Sequence, residues 1–448
     1  MNGTRWAGSL RGAGVATTLG FLLWGGAAMG QKASKETRGG AEAAASPESV
    51  GFSSERLERL HALIQGEIDQ KQLAGAITIL ARHGKIVDYR TYGQRDLATG
   101  AAMTKDTIFR DYSMTKPVTG VAMMILYEEG KWQPQDPIAK YIPEFAHLKV
   151  FAGVDAEGKM MLVDPEHAPT MRELMSHSAG FSYGGGKTVV DAMYQQEGVM
   201  RSATLQEMID KLAKIPLNYQ PSKGWTYSAS MDIEGYIVEK LSGQTLPDFA
   251  RDHIFTPLGM KDAGFFVPAE KRGRFATNYR ADAQGALTPT SPAGEAPSDY
   301  ATQPTMPSGG GGLVSTAEDY YRFAQMMADG GALEGQRVLA PATVHLMTTN
   351  KLPENLLTGQ FGIGQHVMRP GFGYGFNCAV VFDPGAAGLP DGAGTFFWDG
   401  AAGTWFWVDP TNDVVFVGMI QRMGGSDNHS LLYRSHAVVY GALVDPSK

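Results

Sequence analysis

Apolar residues recur at helical spacing at Leu57, Leu60, Leu63, Ile64 and Ile68, which predicts an amphipathic helix close to the start of folded structure near Val50. The run GAITILARHGKIVDYRTYG then carries two β-rich stretches around His83-Gly84-Lys85 and predicts a hairpin. A helical period returns from about Ser113 to Glu129 and stops at Gly130. Between residues 131 and about 300, helical patterns at 171–177, 204–214, 228–241 and 246–252 are joined by Pro- and Gly-rich loops, and 281–312 reads as loop. Thr316-Ala-Glu-Asp319 opens another helix in the manner of a capping box. The tail turns to strands in GTFFWDG, GTWFWVDP and DVVFVGMI, with Asp409-Pro410-Thr411-Asn412 as the turn between the last two. No fixed-period repeat interrupts this order. The pattern predicts an α+β unit. Its antiparallel sheet is built from the N- and C-terminal parts and flanked by helices, and a mostly helical region is inserted at about 131–300.

Composition narrows this picture. At 448 residues and 43% hydrophobic, the chain can bury one large core. The formal charge is −7 and no Lys/Arg block occurs, so a nucleic-acid partner is not expected. The single cysteine, Cys378, excludes an intrachain disulfide and any metal site needing two thiolates, and reads as a packed side chain. Arg5 and Arg11, the uncharged stretch 12–30 and Ala28-Met29-Gly30 read as a signal peptide cleaved before Gln31. An uncleaved membrane anchor is the alternative. Residues 31–49 read as a flexible linker, leaving 50–448 as the folded domain. A periplasmic or secreted protein without stable membrane insertion is the expectation.

Two serines compete for chemistry. Gly180-Phe181-Ser182-Tyr183-Gly184 matches the G-x-S-x-G pattern of an esterase nucleophile, and Gly186-Lys187-Thr188 looks like the end of a phosphate loop. That nucleophile pattern needs a strand before it and a helix after it. Here a helical stretch precedes Ser182 and three glycines follow. The phosphate loop fails because Phe181 stands where its first glycine belongs. The second candidate is the S-x-x-K formed by Ser113 and Lys116, which share a helix face. Pro117 falls in the first helical turn, where its missing N–H costs nothing. Ser113 thus sits at a helix N-terminus, which favours negative charge. Val118, Ala122, Ile125 and Leu126 form a stripe that buries the helix, and burial lowers the pKa of Lys116 toward that of a base.

FRDYSMTKPVTG resembles the first motif of the serine β-lactamase and penicillin-binding-protein superfamily, and the resemblance extends over most of 51–425. QDPIAKYIPEF, MRELMSHSAGF, PSKGWTYSASMDIEGYIVEKLSG, PSGGGGLVSTAEDYYRFAQMMADGG and FFWDGAAGTWFWVDP follow in the family's order. The resemblance implies the β-lactamase/transpeptidase-like fold and an acyl-enzyme on Ser113. It further implies that Tyr227 shuttles the proton, with Lys116 depressing its pKa, and that the N–H groups of Ser113 and Ala401 form the oxyanion hole. No metal or other cofactor is implied.

Departures from the family pattern point to the substrate. Trp398-Asp399-Gly400 stands in place of Lys-Thr-Gly, and Ala229 in place of the asparagine of the second motif. A tryptophan there resembles the family VIII carboxylesterases and implies a small-molecule ester as substrate. A β-lactamase, a D-amino-acid peptidase or transpeptidase, an acyltransferase and a non-catalytic scaffold remain as alternatives. Trp398, Gly400 and Tyr183 are the expected substrate-binding residues, and His177 reads as structural. Asp399 is expected to alternate outward on its strand. Were it to face the cleft, it would repel anionic substrates.

Overall fold

The hairpin turn is built from two residues with positive φ, His83 at 53° and Gly84 at 68°, the twist that a two-residue connection needs. It joins β1 (Gly75–Arg82) to β2 (Lys85–Asp96). The computed structural model describes residues 45–282, 284–290, 300–357, 368–424 and 430–448. The expected signal peptide and most of the linker therefore lie outside the described residues, as does part of the expected loop 281–312.

The central sheet takes its strands from both ends of the chain, as the pattern predicts. Besides β1 and β2 it contains β3 (Ala101–Ala102), β4 (Phe372–Tyr374), β5 (Ala379–Val381), β6 (Thr395–Asp399), β7 (Trp405–Asp409) and β8 (Val414–Met419). The order is β4-β5-β6-β7-β8-β1-β2-β3, antiparallel throughout. β1 and β8 close the sheet by pairing Ile77 with Met419 through Arg82 with Val414. Asp409 shapes the turn before β8 by accepting the N–H groups of Thr411 (2.9 Å) and Asn412 (3.0 Å).

Helices cover both faces, so the middle strands are buried on each side. Successive residues of β7 show this, because side chains alternate. Trp405 donates its indole N–H to Ser435 and Trp407 stacks on His436 at 3.9 Å, both on the C-terminal helix. Phe406 points the other way and meets Tyr320 at 5.1 Å. We label the helices α1 (Ser54–Asp69), α2 (Thr115–Glu128), α3 (Met171–Met175), α4 (Val189–Gln196), α5 (Ser230–Ser242), α6 (Ala317–Ala328) and α7 (Ser430–Ala442). The helix α1 packs with α7, while α6 lies against β1, β7 and β8. Thr316 caps α6 by accepting the Asp319 N–H at 3.1 Å.

The inserted region departs from the expectation in three places. It contains two hairpins, Val150–Val154 with Met160–Val163 and Tyr279–Ala281 with Leu287–Pro289, and the helix α4 directly after the glycine run. The second hairpin puts a short strand inside the expected loop 281–312. Val154, Met161, Leu162 and Val163 of the first hairpin are exposed, so no buried face imposes a legible alternation. In the sheet, β4 and β5 have three residues each, too few for a period to register. Cys378 is packed as expected, and burial pushes its thiol up to about 12.

Gly418 on β8 lies opposite Trp405, and a Cβ there would overlap the indole. Gly418→Ala is expected to cost about 1–3 kcal/mol through overpacking, read as a lower melting temperature with the secondary structure retained by circular dichroism.

Candidate active site

Ser113 sits in a 3-10 turn, Tyr112–Met114, that runs directly into α2. Tyr112 has φ of 46°, a left-handed conformation that costs a non-glycine residue roughly 1 kcal/mol or more. Four hydrogen bonds hold the turn against that cost. Asp111 N–H donates to the Leu313 carbonyl (3.0 Å), Leu313 N–H to Thr115 Oγ1 (3.0 Å), Thr115 Oγ1 to the Tyr112 carbonyl (2.6 Å) and Tyr320 OH to the Met114 carbonyl (2.8 Å). Ser113 itself is half-buried, while Lys116 on the next turn is fully buried.

The structure brings together the three residues expected to do chemistry. Lys116 Nζ lies 3.1 Å from Ser113 Oγ and 2.6 Å from the Gly310 carbonyl. Tyr227 OH donates to Ser113 Oγ at 2.7 Å. Burial lowers the Lys116 pKa to about 7, against the opposing pull of Asp232, Asp399 and Glu234. A neutral amine fits the network. It donates to the Gly310 carbonyl and has a lone pair for the Ser113 proton, while Tyr227 supplies the second hydrogen bond to Oγ. Burial raises the Tyr227 pKa well above that of an ordinary phenol. The expectation that Lys116 depresses it is corrected: desolvation of the phenolate outweighs other influences, and an uncharged amine exerts little pull.

The third-motif segment forms the opposite wall. Gly400 N–H donates to the Thr404 carbonyl (2.8 Å), and Gly403 N–H to the Gly400 carbonyl (2.8 Å). Thr404 Oγ1 donates to the Asp111 carbonyl at 3.2 Å, which ties this turn to the chain just before Ser113. A Cβ at Gly400 would collide with that same carbonyl, so only glycine allows the approach. Ala401 follows on the turn and is exposed. Trp398 is only 2% exposed. Its ring packs on Tyr227 at 5.6 Å and meets Tyr374 edge-on at 5.4 Å, so it backs the phenol rather than offering open pocket surface. Asp399 pairs with Trp405 across the strands and so lies on the sheet face opposite Trp398. It is 6% exposed, so the expected outward orientation leads under α7 and not into solvent. Its charge is still felt by Lys116 and Tyr227.

Ser182 is bound elsewhere. Its buried Oγ donates to Asp191 and accepts the Gly184 N–H at 3.0 Å, and its own N–H donates to Tyr194 OH at 3.1 Å. Thr188 N-caps α4 by accepting the Asp191 N–H at 3.0 Å, and donates to the Asp191 carboxylate at 2.7 Å. The apparent esterase and phosphate motifs are thus one helix cap. Tyr183, next to Ser182, does reach the site: its ring stacks on Tyr227 at 5.6 Å. His177 is 1% exposed with φ of 59°. Its Nδ1 accepts the Ser228 N–H at 3.2 Å, which places the ring proton on Nε2. Burial, then Lys116, hold its pKa well below the ordinary value. Its carbonyl accepts the Thr226 N–H at 3.1 Å and its ring lies 4.9 Å from Tyr227, so it positions the segment bearing that phenol.

Sequence reading missed the floor of the site. Gly310 supplies the carbonyl that meets Lys116, and a Cβ there would fall 2.6 Å from Tyr183 OH and 2.8 Å from Asp232 Oδ2. Asp232 and Glu234 on α5 are both fully buried, and burial raises the Glu234 pKa to about 8. The glycine run 309–312 was visible in the sequence, but nothing local marks Asp232 as buried against a loop 78 residues away.

Comparison with known proteins agrees with this geometry at the level of family. The family described as Beta-lactamase matches residues 60–440, so the chain belongs to the beta-lactamase family. Esterase EstB of Burkholderia gladioli is 34% identical over 373 residues, covering 78% of this chain and 86% of that one. An uncharacterized protein of Mycobacterium tuberculosis is 35% identical over 376 residues, covering 82% and 90%. Among solved structures, EstCE1, a hydrolase with promiscuous acyltransferase activity, superposes with a TM-score of 0.72 at 26% identity, covering 86% of this chain and 98% of that one.

Ser182→Ala separates the two serines. It leaves the Asp191 carboxylate and the Gly184 N–H each short of a partner, so a stability loss of about 1–3 kcal/mol is expected. Ester hydrolysis by the folded variant should stay within about threefold of the parent, whereas loss of that activity would return the nucleophile to Ser182.

Proposed function

We propose that this chain is an exported serine carboxylesterase that cleaves carboxylic esters through an acyl-enzyme on Ser113. The observation that carries the proposal is the pair of contacts on one oxygen: Lys116 Nζ at 3.1 Å and Tyr227 OH at 2.7 Å from Ser113 Oγ. The esterase and hydrolase descriptions of EstB and EstCE1 support the reaction class. Trp398-Asp399-Gly400 in place of Lys-Thr-Gly supports an ester over a β-lactam, because no lysine stands there to meet the antibiotic carboxylate.

In the proposed reaction, the Ser113 proton passes to neutral Lys116 as Oγ bonds to the ester carbonyl carbon. The N–H groups of Ser113 and Ala401 receive the oxyanion. Collapse breaks the C–O bond to the alcohol, which leaves with the proton of the now-charged Lys116, given directly or relayed through Tyr227, so that the phenol is restored and the amine is neutral again. Water then adds to the acyl-enzyme carbonyl as its proton passes to Lys116. The C–Oγ bond breaks, Oγ takes that proton back from Lys116, and the carboxylic acid leaves. A phenol whose pKa is raised stays protonated through the range near pH 7 in which Lys116 loses its proton, and so remains a hydrogen-bond donor there. Export would follow from the N-terminal segment 1–30.

The test is hydrolysis of p-nitrophenyl butyrate beside a chromogenic cephalosporin. Ser113→Ala is expected to remove at least about a thousandfold of the ester activity. Ester activity with little cephalosporin turnover supports the reading, and the reverse preference would move the protein to the β-lactamases. Added alcohol that yields a new ester would extend it to acyl transfer, the promiscuous activity of EstCE1.

A pH profile tests the base. Lys116 accepts a proton only when neutral, so activity is lost as pH falls through about 7 and is full above it. The expected kcat/KM profile rises with unit slope below that value and then levels. A profile that is flat between pH 5 and 9 would remove Lys116 as the base.

A further inference from the structure

We propose that Asp232 is the positioning residue of the site, holding the Gly310 loop so that its carbonyl keeps the Lys116 amine in line with Ser113 and supplying the leading counter-charge to that amine. Asp232 is fully buried on α5, five residues beyond Tyr227. Its Oδ1 accepts the Ser308 hydroxyl at 2.5 Å and the Gly310 N–H at 3.3 Å. Its Oδ2 accepts the Tyr183 hydroxyl at 3.4 Å. Gly310 is therefore held on both sides, its N–H by Asp232 and its carbonyl by Lys116 at 2.6 Å. One carboxylate thereby fixes the floor of the site, the ring that stacks on Tyr227, and the counter-charge facing the amine.

Glu234 provides an internal control. It is equally buried, but it binds Asn377 Nδ2 at 2.6 Å and makes no hydrogen bond to the described residues of the glycine loop. Residues two apart point to different sides of a helix, which is why the two carboxylates divide in this way. The groups that act on Lys116 are the carboxylates Asp232 and Glu234 from α5 and, from the far face of β6, Asp399, together with the rings of Tyr183 (5.4 Å) and Tyr227 (4.5 Å), and His177. Asp232 is the first of the charges acting on the amine. Burial raises its own pKa, while Ser308, Lys116, Gly310 and Tyr183 hold it down.

The experiment reads Lys116 directly, by NMR titration of 13C-lysine in the full chain, with Lys116→Gln identifying the signal. Asp232→Asn keeps an acceptor for Ser308 and the Gly310 N–H but removes the charge. It is expected to lower the Lys116 titration midpoint by about one pH unit and to move the pH–rate limb with it. Glu234→Gln is expected to move the midpoint less than half as far. Superimposable titrations for Asp232→Asn and the parent would overturn the proposal, as would an equal shift for Glu234→Gln. Ser308→Ala tests the geometry without touching a charge: a fall in kcat of about threefold or more with KM unchanged supports it, and an unchanged kcat counts against it. The inference rests on the ester reading only in its kinetic arm, because the titration needs no substrate. A shifted titration with no esterase activity would keep Asp232 and remove the ester reading. Esterase activity with an unmoved titration would do the opposite.

Discussion

Everything in the site answers to one amine placed out of reach of water. Transferring an ammonium into a packed interior is costly, and among the described residues Lys116 has no direct ion pair, only the Ser113 hydroxyl and the Gly310 carbonyl as hydrogen-bond partners. The physical solution is to let the proton go. Once the amine is neutral it needs one good acceptor and one hydroxyl proton, and the surroundings supply both. Three buried carboxylates at longer range, Asp232, Asp399 and Glu234, stop the pKa from falling further than about 7. Such a balance between desolvation and distant charge leaves a lysine poised near neutrality.

Several local irregularities make sense as consequences of that placement. Glycine at 310 leaves room for Tyr183, Asp232 and the amine to converge, and glycine at 400 lets the third-motif turn touch the Asp111 carbonyl. The positive φ of Tyr112 turns the chain sharply just ahead of Ser113, and hydrogen bonds with Leu313 and Tyr320 hold it there. Rings do the same for the phenol. Tyr183, Trp398 and His177 each lie within 6 Å of Tyr227, which restricts the ring to the orientation that meets Ser113 Oγ.

Legibility followed the range of the interactions. Ser113 and Lys116 are three residues apart, so helix geometry alone relates them. The sheet strands β6, β7 and β8 were readable because each is long enough for its composition to show, and the turn after β7 because Asp409 acts within three residues. Ser182 shows the reverse case. Its motif is satisfied letter by letter, yet its hydroxyl is committed to Asp191, nine residues on. Asp232 and Gly310 were silent because the bond joining them spans 78 residues.

The sequence by itself determined the class of architecture, the serine–lysine pair and the distrust of Ser182, since periodicity, capping and spacing act over a few residues. Tertiary structure alone decided how those groups behave. It placed Tyr227, 114 residues from Ser113, against the same oxygen. It turned Trp398 into a backing for the phenol, and it left Asp399 only 6% exposed. It also decided which protonation states the site favours. Burial is a property of the packed chain, and desolvation, the largest influence on both Lys116 and Tyr227, exists only once distant segments have closed over them.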